Sequence, residues 1–172
     1  HGLLRRQRQM CIRDSLNYAQ DFNNDGKKNI WTDTEDSLAS IARYLQGVGS
    51  NKWDPNYTWG REVIPPDNIK SLEPELFIKR EKGCLAVKKL SKKLPLRDYK
   101  QMNFKKMDGS SLDSLDISSY LLRMGREEGD FRYFIVYNNY LNILSYNCSN
   151  YYGLSVGCLL YTSPSPRDRS SS

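Results

Sequence analysis

The rhythm of apolar and polar positions changes several times along the 172-residue chain, and each change predicts an element. Leu38, Ile41, Ala42 and Leu45 recur at helical spacing, which predicts a helix from about Thr34 to Gln46 with one apolar face. Thr32 and Asp33 offer N-cap oxygens before it, with Glu35 and Asp36 at capping-box spacing, and Gly47 and Gly49 stop it. Ser50–Pro66 reads as loop and turn, with Trp53, Tyr57 and Trp59 anchoring it. From Asn68 onward the apolar residues fit no single period; a helix from about Glu75, interrupted at Gly83, is predicted. Leu94–Tyr99 opens another helix, and Lys106–Ser110 is a turn centred on Asp108-Gly109. Asp116–Met124 and Phe131–Tyr137 read as strands joined by the acidic turn Glu127–Asp130. Asn138–Leu144 leads into Tyr146-Asn147, and Ser149–Gly157 starts a terminal helix. The class is α+β, with a small β subdomain over about 94–144. The chain holds no repeat, no low-complexity tract and no stretch long enough to span a membrane.

The two ends change how the composition is read. Arg5–Ser15 back-translates into a transposase-end sequencing adapter, and Cys158–Ser163 into the reverse complement of the same element in a shifted frame. Residues 1–15 and 158–172 are therefore expected to be adapter-derived and disordered, leaving 16–157 as an internal piece of a longer gene. The whole chain carries 26 basic and 20 acidic residues, a net charge of +6. The ends hold six of the basic and two of the acidic residues, so the remainder stands at 20 against 18, a net +2. A basic arm that would have suggested nucleic acid disappears with them, and no nucleic-acid partner is expected. The single histidine, His1, goes too, which argues against a zinc site, a Cys-His nucleophile and a Ser-His-Asp triad. Cys84 and Cys148 remain; two thiols allow one disulfide at most.

One stretch carries the chemistry of a metal loop. Asp21, Asn23 and Asp25 stand at alternate positions and Gly26 follows, the first half of an EF-hand calcium loop. The glycine allows a sharp turn that would present the Lys27 carbonyl. The twelfth position should be a bidentate glutamate and is Thr32, so the pattern alone fits an Asn/Asp/Gly turn before a helix better than a calcium loop.

Taken together, the motifs resemble the membrane-bound lytic murein transglycosylase B family. The residues that carry the likeness are Tyr18-Ala19, Asp21-Phe22, Asp25-Gly26 and Ile30-Trp31, then Asp36, Leu38–Ala42 and Tyr44-Leu45, then Trp59-Gly60 and Glu62-Val63. Leu94-Pro95-Leu96, Asp108-Gly109-Ser110, Phe134–Tyr137, Asn139-Tyr140, Tyr146-Asn147, Tyr152 and Val156-Gly157 continue it in order. The resemblance implies part of a lysozyme-like α-helical domain with a small inserted β subdomain. It implies a monomeric enzyme of the bacterial periplasm or cell envelope that acts on peptidoglycan glycan strands, with a membrane link only through an N-terminal anchor outside this chain. Such enzymes cleave the MurNAc-β-1,4-GlcNAc bond and form 1,6-anhydromuramoyl ends. One glutamate protonates the leaving oxygen and then takes the proton of the muramoyl 6-hydroxyl, so the usual second carboxylate is not required.

That glutamate is expected upstream of Leu16. None of Glu35, Glu62 and Glu73 occupies the matching position, and the chain is expected to be inactive alone. By the same resemblance, Tyr44, Tyr146, Asn147 and Tyr152 line the substrate cleft: the tyrosines offer ring faces to sugars, and Asn147 offers donor and acceptor to an acetamido group. Where many members have a basic residue before the Tyr-Asn pair, this chain has Ser145. The loop is expected to bind a structural calcium ion through Asp21, Asn23, Asp25, the Lys27 carbonyl and Asp36, closing several positions past the usual twelfth. The alternative reading is a non-catalytic, calcium-stabilised module that binds cell-wall glycan.

Overall fold

The computed structural model describes residues 17–47, 53–125, 129 and 131–162, with the backbone alone at 47 and 159–162. The chain divides into two compact units between Trp53 and Asp54. The acidic turn expected at 127–130 lies outside the described residues apart from Gly129.

The first unit is a loop followed by helix α1 (Thr34–Gly47). Of the two capping oxygens, Asp33 supplies the cap: its Oδ1 accepts the N–H groups of Glu35 (2.9 Å) and Asp36 (3.2 Å). The apolar face expected on this helix is not covered within its own unit. Leu38 is 62 % and Ile41 51 % exposed, and the residue turned inward is Asp36, at 0 %. The periodicity located the helix correctly, but the loop packs by polar contacts rather than by apolar burial.

The second unit is built on a five-stranded antiparallel sheet in the order β2-β4-β5-β1-β3. Its strands are β1 (Gly60–Ile64), β2 (Leu94–Pro95), β3 (Lys105–Lys106), β4 (Ser118–Met124) and β5 (Arg132–Tyr137). Strand β5 is central, paired with β4 through Leu121↔Ile135 and with β1 through Arg61↔Ile135. Alternate residues of β5 serve opposite faces. Tyr133, Ile135 and Tyr137 join Val63, Leu76, Leu96, Tyr99, Phe104, Leu112 and Leu121 in the main core. Phe134 meets Trp59 on the other side, with ring centroids 6.5 Å apart.

Two expectations for this unit need correction, and one stretch given no element is a helix. β1 lies in Ser50–Pro66, which was expected to be loop; Pro65-Pro66 hid a five-residue strand that forms because β5 and β3 pair with it. The helix expected from Glu75 is instead α2 (Ile69–Leu76), with Pro74 inside its last turn, followed after a break by the single turn α3 (Leu85–Lys88). A proline near a helix end removes only one late N–H, so α2 runs through Pro74 to Leu76. The stretch from Asn138 is a helix, α5 (Asn138–Tyr146), following α4 (Leu96–Gln101) in chain order. Its asparagines have low intrinsic propensity, and burial of Tyr140, Ile143 and Leu144 holds it.

The last helix, α6 (Asn150–Thr162), continues five residues into the segment expected to be adapter-derived and disordered. The sequence there, Cys158-Leu159-Leu160-Tyr161-Thr162, contains no helix breaker before Pro164. Two glycines one turn apart let α6 approach its neighbours. A Cβ on Gly153 would lie 2.8 Å from the Tyr140 ring, and one on Gly157 2.4 Å from the Trp59 indole. A disulfide joins Cys84 to Cys148 across 64 residues of sequence. A cross-link spanning that length removes about 4 kcal/mol of unfolded-state freedom on the chain-entropy model. Among the described residues, no helix is long and apolar enough to cross a membrane.

Candidate functional site

The first unit centres on the loop before α1. Gly26 has φ +85°, the turn conformation that its place in the motif demands. The Asp25 N–H donates to both Asp21 Oδ1 (3.1 Å) and Asn23 Oδ1 (3.0 Å), so these two oxygens converge. Gly26 N–H donates to Asp21 Oδ2 (2.9 Å), and Lys27 N–H to Asp25 Oδ1 (2.8 Å). Asp36 crosses back from the helix: Oδ1 accepts Phe22 N–H and Oδ2 accepts Asn29 N–H, each at 2.8 Å. The donor set is all hard oxygen and suits calcium in kind. The placement does not gather it, because among the described residues no three acidic, His or Cys side chains stand close enough to hold one ion. The carboxylates answer the loop's own N–H groups instead. Tyr44 lies further along α1, half-buried, with Tyr18 edge-on at 5.2 Å between centroids.

The second unit carries the other three candidates on the turn between α5 and α6. Tyr146 is the last residue of α5, and Tyr152 lies in the first turn of α6. Their rings stack at 6.0 Å between centroids and 27° between planes. Asn147 between them is exposed. Its N–H donates to the Ile143 carbonyl (3.3 Å), and its carbonyl accepts the N–H of Ser149 (2.8 Å). Burial, reinforced by the neighbouring Tyr146, pushes the Tyr152 phenol above its usual range, which keeps it protonated as a hydrogen-bond donor. Tyr140 underlies the turn; burial raises its pKa too, and its hydroxyl donates to Asn150 Oδ1 at 3.1 Å. The arrangement therefore offers two phenol rings, an exposed carboxamide and a rigid base.

The structure thus brings Tyr146, Asn147 and Tyr152 together on one turn, while Tyr44 belongs to the other unit. The sequence reading missed Tyr140 and Asn150, which hold that turn. It also missed the small face made by Gly153 and Gly157, whose spacing of four was a usable signal. Two of the glutamates set aside earlier have structural partners: Glu62 accepts from Arg132 (2.6 and 2.5 Å), and Glu73 from Arg123 (2.7 Å) and the Tyr133 hydroxyl (2.8 Å).

An antiparallel sheet packed with helices defines an α+β protein of lysozyme-like fold. Residues 7–160 match the model of the Transglycosylase SLT domain, and the chain belongs to that family. It is similar to SltB3 from Pseudomonas aeruginosa in complex with NAG-anhNAM-pentapeptide, at 32 % identity and a TM-score of 0.65. That match covers 86 % of this chain and 35 % of SltB3, so the chain spans about a third of that relative's length. SltB1 of the same organism matches at 22 % identity and a TM-score of 0.59, over 86 % of this chain and 42 % of its own. The Escherichia coli lytic transglycosylase Slt35 in complex with calcium shares the fold at 21 % identity and a TM-score of 0.57, over 86 % of this chain and 39 % of its own. No curated protein matches the chain.

Proposed function

We propose that this chain is the glycan-holding part of a peptidoglycan lytic transglycosylase of the bacterial cell envelope. The whole enzyme would cut the MurNAc-β-1,4-GlcNAc bond and leave 1,6-anhydromuramoyl ends. The observation that carries the reading is the stacked Tyr146–Tyr152 pair flanking the exposed Asn147, in a chain of this family. The ring faces would lie against pyranose rings, and the Asn147 carboxamide would donate to and accept from an acetamido group. Tyr44 is proposed as a separate glycan contact of the first unit. No glutamate of the chain is assigned the acid–base role, so cleavage is not expected from the chain alone.

The loop belongs to the proposal as a structural calcium site with donors Asp21, Asn23, Asp25, the Lys27 carbonyl and Asp36. Its support is the chemistry of the donors and the calcium bound by Slt35. Against it stands the present engagement of those oxygens with backbone N–H groups. No step of the reaction is derived through the ion.

The test is a titration of the full chain with a β-1,4-linked GlcNAc tetramer, followed by the NMR shifts of Tyr146, Asn147 and Tyr152. Tyr146→Ala should weaken binding about tenfold, equivalent to about 1.4 kcal/mol. Incubation with purified peptidoglycan should release no anhydromuropeptide. A titration that leaves all three residues unshifted would sink the reading.

A further inference from the structure

The Cys84–Cys148 disulfide lies at the proposed glycan-holding turn. Cys148 directly follows Asn147, in the three-residue connector 147–149 between α5 and α6. That connector, together with the Tyr140–Asn150 contact beneath it, sets how Tyr152 faces Tyr146. On the other side, Cys84 is the N-cap residue of α3, a helix of four residues. A single turn has no independent stability, so it holds a partner in place only if it is itself held. Three ties run between these elements. The disulfide spans 6.1 Å between Cα atoms. The Ala86 N–H donates to Cys148 Sγ (3.4 Å), and the side chain of Asn150, 6 % exposed, donates to the Ala86 carbonyl (3.1 Å). The Oδ1 of the same Asn150 accepts the Tyr140 hydroxyl, which links the clamp to α5. A cavity of about 220 Å³ lined by Leu85, Ala86, Cys148 and Ser149 lies on the Cys148 side of the bond, and Cys148 itself is exposed.

We propose that the Cys84–Cys148 disulfide is a positioning clamp for the Tyr146–Asn147–Tyr152 turn, so that its thiol–disulfide state sets affinity for glycan. The proposal rests on the glycan reading of that turn. Opening the clamp is a two-electron reduction by a dithiol. The reductant forms its own disulfide and passes two protons and two electrons to Cys84 and Cys148, which become free thiols. α3 then loses its anchor, and the connector relaxes with it. The sheet has its own core and does not depend on the bond.

The experiment uses the full chain carrying Cys11→Ser and Cys158→Ser, to exclude exchange with other thiols. It is compared oxidised, reduced with dithiothreitol, and as the added double variant Cys84→Ser/Cys148→Ser. The GlcNAc tetramer is titrated well below the melting temperature, and amide exchange is followed residue by residue. We expect the tetramer Kd to rise about tenfold on reduction and in the double variant. Exchange should quicken at Asn147, Ser149 and Tyr152 while Leu121 and Ile135 stay protected. Leu112→Ala, which weakens the core away from the clamp, should leave Kd within twofold. A Kd that survives reduction would overturn the proposal, as would exchange that quickens equally across the sheet. If the oxidised chain does not bind the tetramer, the glycan reading falls and the clamp is decided by exchange alone: local quickening supports it, and uniform or absent quickening overturns it.

Discussion

The two units of this chain are held together by different physics. In the second unit the buried residues are mostly large and apolar: Tyr99, Phe104, Leu121, Leu122, Ile135 and Val136 among others. In the first, the only buried apolar residue among those described is Ala19, and the most buried group is a carboxylate, Asp36. An apolar core distributes its stabilisation over many contacts, so one truncation removes a fraction of it. A polar loop concentrates it on a few hydrogen bonds to charged groups, so one side chain can carry most of the order. The units should therefore respond to mutation unequally and separately.

The largest effect is expected at Asp36. Replacing it by alanine removes two charge-assisted acceptors at once, about 4 kcal/mol in total, and leaves the N–H groups of Phe22 and Asn29 without partners. The first unit should lose its loop, read as fast amide exchange at Phe22 and Asn29, while the Ile135 amide keeps its protection. A mutant whose two units lose protection together would show that they fold as one. Leu121→Ala should act in the reverse direction. It empties a fully buried position in the main core and should cost about 3 kcal/mol, measured by urea unfolding of the sheet, with no change at Asp36 or its donors.

What was legible in the sequence was what local pattern decides, in both units. Helix α1 and strands β4 and β5 could be placed because their periodicity is local and their stops are glycines or turn residues. Strand β1 could not, because five residues before a double proline form a strand only when β5 supplies the hydrogen bonds. The alignment of Leu38 and Ile41 marked a helical face without saying whether anything covers it. At the site, Tyr146, Asn147 and Tyr152 could be singled out by resemblance, but their mutual stacking depends on Tyr140, Asn150 and the disulfide, none of which announces itself by spacing. The loop motif was legible as a set of donors. Where Asp36 directs its two oxygens is a matter of tertiary geometry.

The aromatic core has a pH signature of its own. Burial raises Tyr99 from the ordinary phenol value of 10.0 to about 12, even though the Ser91 hydroxyl 2.9 Å away partly offsets it. The folded state therefore holds this proton more tightly than the unfolded state. The stabilisation is complete below pH 10 and is lost as pH rises through 12, about 2–3 kcal/mol for a shift of this size. Tyr99→Phe should remove that part of the alkaline loss, so that stability measured between pH 10 and 12 falls less steeply than in the parent chain. Equal slopes would mean that Tyr99 does not govern alkaline unfolding. The loop should be indifferent to Tyr99→Phe, which again separates the units.

The smallest effect expected is that of calcium on the first unit. To bind the ion, Asp21, Asn23, Asp25 and Asp36 must exchange hydrogen bonds to their own loop for metal contacts, so the net gain is far below the gross attraction. An extracellular-type site binds at about 10⁻⁴ to 10⁻³ M. At 2 mM calcium such a site adds about 1 kcal/mol of stability to whatever binds it. Amide exchange at Phe22 and Asn29 should slow about five-fold with 2 mM calcium relative to chelator, and exchange at Ile135 should not move. Magnesium at the same concentration should do less, because it demands a tighter octahedral set than this loop can gather. If the two conditions give the same rates, the loop is a turn closed by Asp36 alone. Asp36→Asn then becomes informative: it keeps the shape of the side chain but removes its charge, and should reproduce part of the Asp36→Ala loss with or without the ion.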